Sequence, residues 1–213
     1  MPTIEIESLE RYGYADPAAG KDARNKRRRA RQSIVVGARD WLDRWFWVYL
    51  WAGHLTASQF RDKIIDINER FNPRRFGIEA NGMQILFGNL VREAAKERES
   101  SMTMIPVYQP TNIEKNFRIR TGLEPVINGG RFFVQETQVE AIAEIQGFPT
   151  AATKDLVDAM ETCIRTAPRR PVNTTQDTEA EQYAAYLRNS GMPEHLIKGE
   201  MAKFQSSRPT TTQ

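Results

Sequence analysis

The sequence predicts an α/β domain, a sheet with helices packed on it, followed by a short helical extension. Three observations carry this. From Arg11 to Asp16, Tyr12 and Tyr14 alternate with smaller residues, the period-2 pattern of a half-buried strand, and Pro17 cannot continue a ladder. From Arg44 to Trp51 both strand faces are apolar, with Trp45, Trp47, Tyr49 and Trp51 expected on one side and Phe46, Val48 and Leu50 on the other, as in a strand covered from both sides. From there to Tyr108, strand-like and helix-like stretches alternate with short connections, the βαβ pattern of parallel strands.

In chain order, the first strand carries Asp16 to its end. Gln32 to Ala38 reads as the second strand, Asp40 to Asp43 as a turn, and Arg44 to Trp51 as the third strand. Thr56 or Ser58 can cap a helix to about Phe71, with Phe60, Ile64, Ile65 and Ile67 as its apolar stripe, closed by Asn72 and Pro73. Arg74 to Glu79 is a strand, Met83 to Arg98 a helix, and Thr103 to Tyr108 a strand. Asn112 to Thr121 reads as helix, Arg131 to Val134 as a short strand, and Glu136 to Gln146 as helix. Thr153 is expected to cap the last helix of the domain, which runs to about Thr166. The expected organisation is a lead-in over 1–10, a domain over 11–166, a linker over 167–178, two short helices split by Gly191, Met192 and Pro193 over 179–204, and a disordered tail over 205–213.

Composition narrows the function classes. The lone Cys163 rules out an internal disulfide and is expected in the core, which suits a reducing cytosol. The acidic start MPTIEIESLE is not a secretory signal, and the most apolar run, Trp45 to Ala52, falls far short of the ~20 residues of a membrane helix. Charge is uneven: Lys21, Arg24, Lys26, Arg27, Arg28, Arg29 and Arg31 stand against Asp22 alone, although the whole chain carries only +3. This basic loop suits a phosphate backbone, or else is simply a solvated segment.

Three acidic positions occupy special points. Asp16 ends the first strand, Glu79 ends the strand before the second helix, and Asp155 opens the last helix, with Asp158 on the same helix face. Taken singly, Asp155 is a first-turn acid favoured by the helix dipole and Asp158 a surface acid. A carboxylate at the end of a buried strand, like Glu79, is costly unless partnered. Brought together, such carboxylates repel unless a cation neutralises them, and an oxygen-only set suits Mg²⁺ or Mn²⁺.

The ordered set YADPAAG, a hairpin, RRFGIEANG, NIEKNFRIR and FPTAATKDLVDAM resembles the nuclease domain of the large terminase subunit of tailed bacteriophages, over about Arg11 to Thr166. The resemblance implies a ribonuclease-H-like mixed sheet, its first three strands antiparallel and the later ones parallel, with helices on both faces. It implies a two-metal endonuclease in which Asp16, Glu79 and Asp155 are catalytic and bind two Mg²⁺ or Mn²⁺ ions, with Asp158 a further ligand candidate because Lys154 replaces the first acid of the family's usual pair. Two such ions ~4 Å apart activate water and stabilise an in-line displacement at phosphorus. Lys115, Arg118 and Arg120 match the family's basic segment and, with Arg27, Arg28, Arg29 and Arg31, are expected to touch DNA; a basic solvent face of the helix is the plainer reading of the first three.

The expected function is metal-dependent cutting of double-stranded DNA during phage genome packaging, in the host-cell cytoplasm, by a chain that is monomeric when isolated and bound to no membrane. A packaging ATPase, the portal and the small terminase subunit are the expected partners. Gly20-Lys21 is no phosphate loop, since Ala15 and Asp22 stand where Gly and Ser or Thr are needed, so no ATPase is expected in this chain. Two other readings stay open: a structure-selective nuclease of the resolvase type, and a non-catalytic module that binds DNA or docks on the motor.

Overall fold

The computed structural model describes residues 8–17, 31–82, 84–168 and 179–206. Its centre is a six-stranded sheet built from β1 (Glu10–Asp16), β2 (Gln32–Arg39), β3 (Trp45–Gly53), β4 (Arg75–Glu79), β5 (Met104–Val107) and β6 (Phe132–Phe133). The order across the sheet is β5-β4-β1-β2-β3-β6. β1, β2 and β3 form an antiparallel meander, whereas β4 lies parallel to β1, β5 to β4 and β6 to β3. The strand order places the end of β1 beside the end of β4, with Ala15 opposite Ile78.

Period 2 then sorts the side chains. Tyr12, Tyr14 and Val35 face a core shared with the helices α3 (Lys115–Asn128), α4 (Val139–Gly147) and α5 (Asp155–Thr166). Ala15, Ile34, Val36, Phe76 and Ile78 face a second core shared with α1 (Ala57–Phe71) and α2 (Gln84–Glu97). Asp16 and Glu79, each one step beyond a residue of the second core, therefore fall on the α5 side of the sheet. Gly77 serves this geometry. A Cβ there would lie 3.1 Å from the Tyr14 ring and 2.9 Å from Val107, so only glycine lets the Tyr14 ring lie across β4 towards Glu79.

The third strand departs from simple alternation. Gly37 pairs with Trp47 and Val36 with Tyr49, so Val48 is an extra residue, a β-bulge that turns the following side chains over. Trp45 and Trp47 belong to the α5 side, whereas Tyr49 and Trp51 pack against the α1 side, not all four on one face as the sequence predicts.

Two helices also differ. α3 does not stop near Thr121 but runs on through Gly122 and Pro125 to Asn128. Gly122 is required by packing, because a Cβ there would sit 2.6 Å from Glu161 Cγ of α5. α5 takes Lys154 as its N-cap and not Thr153, with no side-chain bond from that residue.

After α5, Ala167 is buried and the Pro168 carbonyl accepts from Arg39 at 2.9 Å. The remainder of the expected linker, 169–178, the tail from 207 and the basic run 18–30 lie outside the described residues. Two further helices, α6 (Glu179–Asn189) and α7 (Glu194–Ser206), close a small core of Tyr186, Leu187 and Ile197 over Trp41 of the β2–β3 turn. Among the described residues no helix is long and apolar enough to cross a membrane.

Candidate active site

Tyr14 is the hub of the site. Its ring is 1 % exposed, and its hydroxyl donates to Glu79 Oε2 at 3.1 Å while accepting from Gln109 Nε2 at 3.1 Å. Gln109 Nε2 also reaches Thr162 Oγ1 of α5 at 3.0 Å, and Gln109 Oε1 accepts from Arg165 at 2.7 Å. The turns after β4 and β5 are tied together by Asn81 Oδ1, which accepts the Gln109 N–H at 3.2 Å. The end of β4 is thus held by side chains of β1, the β5 exit and α5.

Three carboxylates act electrostatically on this hub. Burial pushes the Tyr14 phenol well above its ordinary value, and Glu79, Asp16 and Asp158 push it further in the same direction. Burial also raises Glu79 above the usual carboxylate range; the Tyr14 hydrogen bond opposes this, Asp158 adds to it, and Lys115 and Arg118 work against it. The acids acting on Tyr14, one each from β1, β4 and α5, carry only oxygen donors.

Each acid of α5 is held by a cation. Lys115 Nζ is 2.7 Å from Asp158 Oδ2, and Arg118 pairs with Asp158 on its other oxygen. Burial works to lower the Lys115 ammonium, but Asp158, Asp16 and Asp155 outweigh it and raise it. Arg118 also pairs with Glu161 and donates to Thr162 Oγ1 at 3.2 Å. Asp155 Oδ2 accepts from Arg31 Nε at 2.8 Å, and the same guanidinium reaches Glu140 and, at 3.0 Å, Glu144 Oε1. Among the described residues no three His, Cys, Asp or Glu side chains close on one point to hold a metal.

The predicted residues thus separate. Asp158 pairs with Lys115 and Asp155 with Arg31, and both acids, with Asp16, act electrostatically on Lys115. Arg118 is only 8 % exposed and faces inward, bracing α3 on α5, where the sequence reading has it reaching for DNA. Arg120 is exposed on α3. Arg27, Arg28 and Arg29 lie outside the described residues. Sequence reasoning treats Tyr14 only as strand patterning and does not single out Gln109, Thr162, Glu161 or Glu144. The available signal for Glu144 is its i,i+4 spacing from Glu140 on a short helix that carries no basic residue.

No protein-family model and no curated protein matches the chain. Among solved structures it is similar to the P22 large terminase nuclease domain, with a TM-score of 0.53 and 15 % identity, over 75 % of this chain and 82 % of that one. More distant likenesses, which carry no argument, are Thermus thermophilus RuvC in complex with a Holliday junction substrate (TM-score 0.40, 11 % identity, 71 % and 90 % covered) and the yeast mitochondrial Holliday junction resolvase Ydc2 (0.42, 11 %, 79 % and 79 %). The mixed sheet, with helices on both faces, and the likeness to that nuclease domain show a ribonuclease-H-like fold.

Proposed function

We propose that the chain is a metal-dependent endonuclease that hydrolyses phosphodiester bonds of double-stranded DNA, serving phage genome packaging beside an ATPase, the portal and a small terminase subunit. The observation that carries this reading is the Tyr14 hydrogen bond to Glu79 at the ends of two neighbouring parallel strands, where Asp16 and Asp158 of α5 act electrostatically on the same hydroxyl. These carboxylates repel and burial raises Glu79, so positive charge, from Lys115, Arg118 and a bound cation, favours their ionised forms.

An oxygen-only donor set fits a hard divalent cation such as Mg²⁺ or Mn²⁺. Asp16, Glu79 and Asp155 would hold it, with Asp158 as the further candidate. When bound, two such ions supply neutralisation of the phosphate and activation of water. The chain's own groups have separate tasks. Tyr14 orients Glu79 by its hydrogen bond, and Lys115 and Arg118 hold Asp158. Lys115, its ammonium beside Asp158, would meet a phosphate of the bound DNA. Arg120 and the basic run with Arg27, Arg28 and Arg29 would bind the DNA backbone, so affinity would fall with salt.

The test is cleavage of supercoiled plasmid with Mn²⁺, Mg²⁺ or EDTA, beside Asp16→Asn and Glu79→Gln. The expected result is nicking that needs metal and drops by about 100-fold or more in both variants, the scale of losing one charge-stabilising group in an active site, while thermal unfolding shows them folded. Cleavage that survives both changes would overturn the site.

A further inference from the structure

We infer that Glu144 is a positioning residue for Asp155, holding Arg31 on α4 so that the guanidinium does not take over the Asp155 carboxylate. The inference rests on Asp155 as a metal ligand under the proposed function. Glu144 is 2 % exposed, an unusual place for a carboxylate, and both its oxygens are occupied. Oε2 accepts the backbone N–H groups of Leu156 at 2.9 Å and Val157 at 3.1 Å, so it caps the helix start that Lys154 leaves uncapped. Oε1 accepts from Arg31 at 3.0 Å, and Glu140 takes another nitrogen of the same guanidinium.

Arginine and aspartate favour a two-pronged pair with parallel N–H···O bonds. With its terminal nitrogens engaged by Glu140 and Glu144, Arg31 offers Asp155 only Nε, at 2.8 Å to Oδ2. Glu144 therefore fixes the helix turn that carries Asp155 and limits how strongly Arg31 competes for it. Loss of the Glu144 charge would leave Arg31 to the Asp155 carboxylate and set it against any divalent cation there. Loss of Arg31 would remove the competitor.

The measurement is Mn²⁺ affinity of the full chain without DNA, by titration calorimetry or by the paramagnetic signal of free Mn²⁺, with thermal unfolding alongside. Glu144→Gln keeps an oxygen to accept the two N–H groups and loses the charge and the acceptor that face Arg31. It is expected to weaken Mn²⁺ by about 10-fold, the usual scale for a group behind a ligand, with little change in Tm. The double variant Glu144→Gln with Arg31→Gln is expected to recover wild-type affinity or better, and Arg31→Gln alone to bind at least as tightly as wild type. A merely structural role for Glu144 predicts none of this recovery. Unchanged Mn²⁺ affinity in Glu144→Gln, a loss that Arg31→Gln does not relieve, or weaker binding by Arg31→Gln alone overturns the inference while leaving the metal site standing. Wild-type protein that takes up no Mn²⁺ overturns both, unless Arg31→Gln gains binding, which supports the competition directly.

Discussion

The starts of α1 and α5 solve the same problem in opposite ways. At α1 the cap is local: Thr56 Oγ1 accepts the Gln59 N–H at 3.3 Å and Gln59 Oε1 accepts the Thr56 N–H at 3.0 Å, within four residues and on the surface. At α5 the cap comes from another helix, and the same Glu144 side chain also binds Arg31, which binds Asp155. The local cap contributes stability and nothing else, since no functional group depends on it. The borrowed cap couples stability to the position of a candidate ligand.

The widest separation between the two ends should come from Glu144→Ala. It removes two cap bonds and leaves Arg31 short of a buried partner, so a loss of about 3 kcal/mol is expected, the range for breaking a buried ion pair. Urea unfolding measures it, and a loss below that of a surface cap would mean that water replaces the carboxylate at the α5 start. Thr56→Ala should cost about 1 kcal/mol and leave plasmid cleavage unchanged. A cleavage defect there would show that the α1 start is not the inert reference assumed here.

The smallest effect concerns the dry body of α5. Cys163 is buried, donates to the Tyr12 carbonyl at 3.4 Å, and has its thiol pushed by burial from 9.0 to about 12. Because the folded value is raised, the neutral thiol's contribution is fully present below pH 9 and is lost as pH rises towards 12. A thiol reagent at pH 8 should therefore label Cys163 only as fast as the protein unfolds. Rapid labelling of folded protein would mean that α5 opens locally, and would make its polar start less rigid than its contacts suggest.

Much of this fold is legible in the chain. Tyr12 and Tyr14 in phase before Pro17, the Thr56 cap and the helix–strand alternation after β3 are all local patterns, each set by backbone sterics or hydrogen bonding within a few residues. The bulge at Val48 is not local in that sense, because it depends on the register of β2 against β3, and so the faces of Tyr49 and Trp51 come out reversed. The length of α3 is misread for a similar reason: Gly122 looks like a helix end until Glu161 is seen to fill the space beside it. The end of β1 at Asp16 and of β4 at Glu79 follow from the sequence, yet their shared side of the sheet needed the pairing of Ala15 with Ile78.

By itself the sequence determined which residues are carboxylates at element ends, because strand period, Pro17 and the first turn of α5 are matters of neighbouring residues. Tertiary structure alone decided their partners: Tyr14 for Glu79, Lys115 and Arg118 for Asp158, and Arg31 for Asp155. These contacts span from 40 to 124 positions along the chain. Ion pairs and hydrogen bonds fall off within a few ångströms, so which acid meets which cation is settled only when the sheet order and the α3 and α4 docking onto α5 have set those distances.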